Sequence, residues 1–489
     1  MQCFRFERDY PIADTTEGRV RGFEQGRVLC FRGIRYAVAK RFHAPRRAPR
    51  HADIFDATSY GYVCPLLAKD HPQGELYVPH RFWPQDEDCL NLNIWTPALD
   101  GGKRPVLVWL HGGGFSFGSA IEQIVIDGRN MALLGDAVVV SVNHRLNILG
   151  YFDLSDFGKE YENSGNAGTA DLIFALRWIR DNIASFGGDP ANVTLSGESA
   201  GAASVSALCT SPLAKGLFRR VILESSTCAS VHPPHSFRTM EDALRAGEET
   251  KRQLGCGSVA QLRQLPAEKL VALAEQHHHM TVDGYALKET PYESYRKGVH
   301  NEEAILHGYN GEESGPFILF DRANLSNYES KVRDYFKDYA DDILALYPAS
   351  TDEEADRCWA EVYGAVFFDY PHYCLNRLAV KNDIPVYEYY FTKKNGRLGD
   401  WHSGELVYCY GNIPADSGLY DSRDRELSAQ MLGCWHSFIA TGDPNGSGLP
   451  EWQENRDSAS VMHFGDKTEM MTEREHELFA VLDRMDGWE

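Results

Sequence analysis

The sequence predicts an α/β fold, with a mostly parallel central sheet flanked by helices. Two observations carry that expectation. Val106-Leu-Val-Trp-Leu110 and Ala137-Val-Val-Val-Ser-Val142 are continuous apolar runs, as in strands buried on both faces. Between the second run and the next strand-like segment, Val193-Thr-Leu-Ser196, apolar residues recur at Leu172, Leu176, Ile179 and Ile183. That is the spacing of one helix face. Strands alternating with helices imply a parallel sheet with helices on both sides.

The other elements follow in order. Residues 14–34 carry Gly18, Gly22, Gly26 and Gly33 between short runs such as Arg27-Val-Leu-Cys-Phe-Arg32. This reads as a meander of short antiparallel strands. Residues 40–84 are irregular and rich in Pro, His and Arg, and read as loop. Cys89-Leu-Asn-Leu-Asn-Ile-Trp95 alternates apolar with polar, the pattern of a half-buried strand. Arg220-Val-Ile-Leu-Glu224 is a further strand, and a longer helical stretch follows at 239–276. Beyond residue 230 the rhythm loosens. Strand candidates recur at Ala304-Ile-Leu306 and Val386-Tyr-Glu-Tyr-Tyr-Phe391, and 328–380 reads as helical with many Tyr and Phe. There is no internal repeat and no Gly/Ser linker, so residues 1–489 read as one domain with helical insertions.

Composition narrows the function. The net charge of −21, from 70 acidic and 49 basic residues, excludes a basic nucleic-acid-binding surface. No apolar run reaches the roughly 20 residues of a membrane span. The N-terminal Met1-Gln-Cys-Phe-Arg-Phe-Glu-Arg-Asp9 has charges inside its apolar part, unlike a signal peptide. A cytoplasmic protein is expected, with a secreted chain that has lost its signal as the alternative. The 11 cysteines are odd in number and scattered, which fits buried reduced thiols. His277-His278-His279 lacks the Cys or carboxylate spacing that completes a metal site and reads as an exposed helix end. No metal or organic cofactor is expected.

The chemistry centres on Gly197-Glu198-Ser199-Ala200-Gly201, a G-x-S-x-G pentapeptide between a strand-like run and small helix-forming residues. Strand, sharp turn and helix are the context of a nucleophile elbow. A serine hydroxyl is a poor nucleophile at neutral pH. It needs a base, an acid that orients the base, and donors for the oxyanion. His111-Gly-Gly-Gly-Phe115 follows a buried strand, and its glycines let bare N–H groups approach a substrate oxygen. No G-K-[ST] follows, so this is not a phosphate loop. Gly113 and Gly114, with Ala200 after the serine, are the expected oxyanion donors. Downstream, Glu312 and Glu313 both follow a strand candidate, and either carboxylate is placed to serve a histidine.

At this point the sequence resembles a known family. Phe186-Gly-Gly188 followed by Leu195-Ser-Gly-Glu-Ser-Ala-Gly201 is similar to the serine signature of type-B carboxylesterases, the family that includes cholinesterases. Glu87-Asp-Cys-Leu90 leading into Asn93-Ile-Trp95 resembles its second signature. Gly33-Ile34 with Tyr36-Ala37, Asn143 with Arg145-Leu146, and Phe438-Ile-Ala-Thr-Gly-Asp-Pro-Asn445 resemble further family segments. Together these run from about residue 16 to 465.

The resemblance implies an α/β-hydrolase fold and a serine esterase. Gly308-Tyr-Asn-Gly-Glu-Glu313 resembles the family's acid segment and implies Glu313 as the triad acid. Trp401-His-Ser-Gly-Glu-Leu406 resembles its histidine segment and implies His402 as the base. Glu198 matches a family glutamate close to the active site, and Asp171 matches a structural aspartate. Phe115, Phe117, Phe317 and Phe320 are candidates for the substrate pocket. Cys64 and Cys89 match a family disulfide pair, expected to be reduced here; Cys256 matches half of a second pair, but Gln261 stands near its partner's place. Departures exist: Arg35 and Ser314 replace a family proline and glycine. The expected activity is hydrolysis of a small-molecule carboxylic ester by Ser199, His402 and Glu313. The alternatives are thioester or amide hydrolysis, acyl transfer, or a non-catalytic adhesion module.

Overall fold

A computed structural model describes residues 3–66, 81–231, 236–273, 277, 279–319, 321–394, 399–414, 418–456, 460–472 and 477–488. Twelve strands form the central sheet: β1 (Phe4–Arg5), β2 (Phe23–Gln25), β3 (Val28–Arg35), β4 (Asn91–Thr96), β5 (Arg104–Leu110), β6 (Val138–Val142), β7 (Gly188–Glu198), β8 (Arg220–Glu224), β9 (Ala304–Asn310), β10 (Val386–Phe391), β11 (Ser460–Phe464) and β12 (Thr468–Thr472). Their spatial order is β1-β2-β3-β4-β6-β5-β7-β8-β9-β10-β11-β12. From β6 to β11 every pairing is parallel; β1 to β4 and β12 are added antiparallel. The expected meander is split: Ile12–Thr15 and Gly18–Arg21 form a hairpin in a separate small sheet, while β2 and β3 join the large one.

The double-sided burial explains the apolar runs. Val106, Val108 and Leu110 of β5 face one core; Leu107 and Trp109 face the other. The first core is closed by the helix Ala167–Asn182 through Leu172, Leu176 and Ile179. The second is closed by the helix Ser422–Thr441 through Met431, Trp435 and Phe438. Each fully buried side chain of this size contributes about 1.5–3 kcal/mol of transfer free energy. Asp171 is wholly buried and takes two hydrogen bonds from the Arg145 guanidinium, at 2.7 and 2.6 Å. Removing either partner would strand a buried charge.

Two expectations are corrected. β4 is buried along its whole length rather than half-buried, because Leu92 and Ile94 enter one core and Trp95 the other, with Asn91 and Asn93 buried in hydrogen bonds between them. His277 is not on an exposed helix end. It is fully buried, its Nε2 is 2.6 Å from the Thr250 hydroxyl, and its ring packs on Phe152. The first histidine of the tract became a core contact because it packs back on the helix Met240–Gln253 through Thr250. Cys64 and Cys89 are buried free thiols within hydrogen-bonding reach of one another, and the Leu146 N–H donates to Cys64 Sγ at 3.3 Å.

Candidate active site

The site lies at the C-terminal ends of β5, β7, β8 and β9, where a parallel sheet opens toward ligands. β7 runs straight into the turn at Ser199, and the helix Ala200–Thr210 starts at the next residue. Ser199 has φ 56° and ψ −126°, a strained conformation for a residue with a side chain. The flanking glycines are compulsory. A Cβ on Gly197 would meet the Gly201 carbonyl carbon at 2.4 Å, and one on Gly201 would meet the Leu110 carbonyl oxygen at 2.1 Å. The turn is pinned to β8 by the Ser199 N–H, which donates to the Glu224 carbonyl at 2.9 Å.

The glycine loop follows β5. Gly113 and Gly114 have φ 101° and 58°. A Cβ on Gly113 would sit 2.4 Å from the Phe117 carbonyl oxygen, while Gly114 faces open space. The Gly113 carbonyl accepts from the Ser116 and Phe117 N–H groups at 3.1 and 2.9 Å, which folds the loop back over the strand end. His111, at its base, donates from Nδ1 to the Gly112 carbonyl (2.9 Å) and packs on the His144 ring. Burial pushes the His111 imidazole down to about 4.

Glu313 and His402 meet. The carboxylate Oε2 lies 2.6 Å from His402 Nδ1. Its Oε1 accepts from the Ser225 hydroxyl at 2.6 Å and from the Asn310 N–H at 2.8 Å. Glu313 is thus buried and fully engaged. Glu312 is exposed and pairs with Lys394. One residue of offset after a strand therefore separates a buried acid from a solvated one.

Glu198, expected close to the active site, lies against His402. It is 2% exposed, accepts from the Ser403 hydroxyl at 2.6 Å, and places Oε1 at ion-pair distance, 3.0 Å, from His402 Nε2, though not aligned for a hydrogen bond. The imidazole is held between two carboxylates. Burial alone would lower its pKa, but Glu198 and Glu313 together outweigh that and raise it well above the ordinary histidine value.

A cavity of about 290 Å³ opens over Ser199. Gly114, Phe115 and Ala200 line it beside the serine. Phe317 lines it too and packs on His402 at 4.9 Å. Phe117 does not: its backbone closes the glycine loop instead. Phe320 lies outside the described residues.

Sequence reasoning missed several residues. Ser225 and Asn310 fix Glu313, and the Asn310 amide also donates to the Trp401 carbonyl at 2.9 Å and to Glu405. Asn310 thereby ties the acid segment to the histidine loop. Tyr363, Phe367 and Phe368 form an aromatic wall: Tyr363 sits at the end of the helix Asp352–Gly364, and Phe367 and Phe368 on the π turn Ala365–Asp369 that joins it to the next helix. π turns recur at functional sites, but a run of Tyr and Phe in a helical region gave no sign of one.

Comparison with known proteins decides the family. Residues 9–480 match the model of the carboxylesterase family. The chain belongs to that family. Phenmedipham hydrolase of Pseudarthrobacter oxydans is 32% identical over 495 residues, covering 94% of this chain and 95% of that protein. Para-nitrobenzyl esterase of Bacillus subtilis is 31% identical, covering 89% and 91%. Among solved structures, an esterase of Clostridium hathewayi described as hydrolysing aliphatic aromatic polyesters is 32% identical, with a TM-score of 0.79 over 99% of this chain and 100% of that one. The Geobacillus stearothermophilus carboxylesterase is 30% identical, with a TM-score of 0.81 over 97% and 99%. The carboxylesterase thus has the α/β-hydrolase fold and hydrolyses carboxylic esters, which removes the adhesion-module alternative. Among the described residues no helix is long and apolar enough to cross a membrane.

Proposed function

We propose that the carboxylesterase works through an acyl-enzyme, with Ser199 as nucleophile, His402 as base and Glu313 as orienting acid. The observation that carries this reading is the 2.6 Å contact between buried Glu313 and His402 Nδ1, beside a serine held in a strained turn. With Glu313 on Nδ1, the other ring nitrogen is left to take the serine proton. Ser199 Oγ attacks the ester carbonyl as His402 Nε2 accepts that proton. The imidazolium then protonates the leaving alkoxide. Water, deprotonated by the same nitrogen, hydrolyses the acyl-enzyme and regenerates the serine. The N–H groups of Gly113, Gly114 and Ala200 bind the oxyanion, each worth roughly 10²–10³-fold in rate.

Glu198 and Glu313 both favour the charged imidazole, so the base becomes available only once the pH is high enough to neutralise it. We also read residues 1–489 as one catalytic domain, because both cores are built on the same sheet. The substrate is read as a small ester, in keeping with the relatives named for phenmedipham and para-nitrobenzyl substrates.

The test is labelling by a fluorophosphonate. The wild-type chain is expected to be labelled at Ser199 and to cleave p-nitrophenyl esters, and Ser199→Ala to do neither. A folded wild-type protein that resists labelling and cleaves no such ester would overturn the reading.

A further inference from the structure

Next to the aromatic wall runs a line of four polar side chains, all fully buried. His372 and Asn376 stand on the helix Tyr370–Lys381, His307 on β9 and Glu388 on β10. His307 Nδ1 lies 2.8 Å from His372 Nδ1. His307 Nε2 lies 2.8 Å from the side-chain oxygen of Asn376. The Asn376 amide donates to Glu388, which is the register partner of His307 on the neighbouring strand. Two residues upstream on the same strands, Ile305 and Val386 join Leu375 and Leu378 of the helix in the first core. A polar line therefore crosses an interface that is otherwise packed from hydrocarbon.

The contacts place the hydrogens. With its amide turned to Glu388, Asn376 presents an oxygen to His307, so His307 Nε2 carries a hydrogen. Burial lowers the pKa of both imidazoles, His307 to about 4, so each ring is neutral with one N–H. His307 Nδ1 is then the acceptor and His372 Nδ1 the donor. This is a directional bond between strand and helix, which fixes their offset more narrowly than apolar contact does. The helix end matters for the site. One turn before His372, Phe368 lines the cavity and lies 5.3 Å from the His402 ring. Pro371, directly before His372, lines the cavity too. The strand end matters as well: three residues beyond His307, the Asn310 N–H holds Glu313. His307 and His372 thus join the strand that supports the acid to the turn that carries the wall.

We propose that His307 and His372 are positioning residues for substrate selection: the hydrogen bond between their Nδ1 atoms sets where Phe368 stands over the cavity, and so how bulky an ester group the cavity admits. Neither histidine touches substrate. The inference rests on the reading of Ser199 as the nucleophile beneath this cavity.

The test reads a ratio, kcat/KM for a bulky ester over that for a small one, in one series that enlarges the acyl group and another that enlarges the alcohol. A loss of folded enzyme lowers both members equally and cancels. His372→Leu fills space but cannot donate. In at least one series it should shift the ratio toward the bulky ester by at least about threefold, the worth of one net hydrogen bond. An asparagine places its side-chain nitrogen where Nδ1 stands, and a glutamine where Nε2 stands. His372→Asn should therefore keep the wild-type ratio within about twofold, and His372→Gln should shift it as Leu does. A role in filling space alone would rank them the other way, since Gln is closer to His in size. In a Phe368→Ala chain, adding His372→Leu should move the ratio by less than about twofold, because the bond acts through that ring. Thermal melts confirm that each variant folds; should His372→Leu not fold, the Asn and Gln variants carry the comparison. A ratio unmoved in both series, Asn and Gln variants that behave alike, or a full shift that persists without Phe368 overturns the inference while the esterase reading stands. A wild type that neither labels with a fluorophosphonate nor cleaves any ester takes both readings down.

Discussion

The two sides of the site are built on opposite terms. On the strand side, the ends of β5 and β7 leave no freedom: Gly197 and Gly201 admit no Cβ, and Ser199 is held at φ 56°. On the insertion side, Tyr363 at a helix end and Phe367 and Phe368 on the π turn after it form a wall where any bulky apolar side chain would fill space. Backbone geometry fixes the chemistry, and side-chain choice tunes what reaches it. Substitutions on the first side should therefore act on rate or folding, and those on the second on selectivity.

The sharpest break is Ser199→Ala. Removing the nucleophile should lower kcat by at least about 10⁴-fold, leaving only binding and oxyanion stabilisation. Steady-state hydrolysis of a p-nitrophenyl ester measures it. Close behind comes the pair of adjacent acids. Glu313→Gln should cost on the order of 10³–10⁴-fold, because the imidazole loses its orienting charge. Glu312→Gln removes an exposed ion pair with Lys394 and should change kcat/KM by less than about twofold. The reverse ranking would reject Glu313 as the acid.

A third prediction concerns folding. Gly201→Ala drives a methyl group into the Leu110 carbonyl, and should cost about 3 kcal/mol or more in urea unfolding, at the upper end of overpacking. Gly114→Ala meets no atom and bears only the strain of φ 58°, about 1 kcal/mol. Equal losses would mean that crowding does not explain the elbow's glycines.

The same contrast explains what the sequence disclosed. Apolar runs such as Val106–Leu110 exposed the parallel sheet, because a strand buried on both faces must be apolar along its whole length. Gly197, Ser199 and Gly201 exposed the elbow, because few residue types tolerate that turn. Glu313 needed the family register, since exposure of Glu312 and burial of its neighbour depend on tertiary contacts with Ser225 and His402. The burial of His277 was illegible for the same reason, since Thr250 and Phe152 cover it, while Glu198, like Glu313, was placed near the site only by the family resemblance. The aromatic wall was hidden because core and pocket aromatics share one composition.

The smallest effect is the most discriminating. His402 lies between Glu198 and Glu313, and both favour its charged form. A base must be neutral to take the serine proton, so activity is lost as pH falls through the raised pKa of His402. The rising limb of kcat/KM should then lie above the pH expected of an ordinary histidine. Glu198→Gln keeps the size and polarity of the side chain but removes one negative charge. The limb should move to lower pH, whatever happens to the plateau. Stability should respond with a matching sign. Because the folded pKa is raised, the ion-pair contribution is full below the unfolded histidine value and fades as pH rises through the folded one. Glu198→Gln should flatten that fall in unfolding free energy. If neither the limb nor the stability profile moves, Glu198 is not the group that charges the resting imidazole, and Glu313 alone must hold it.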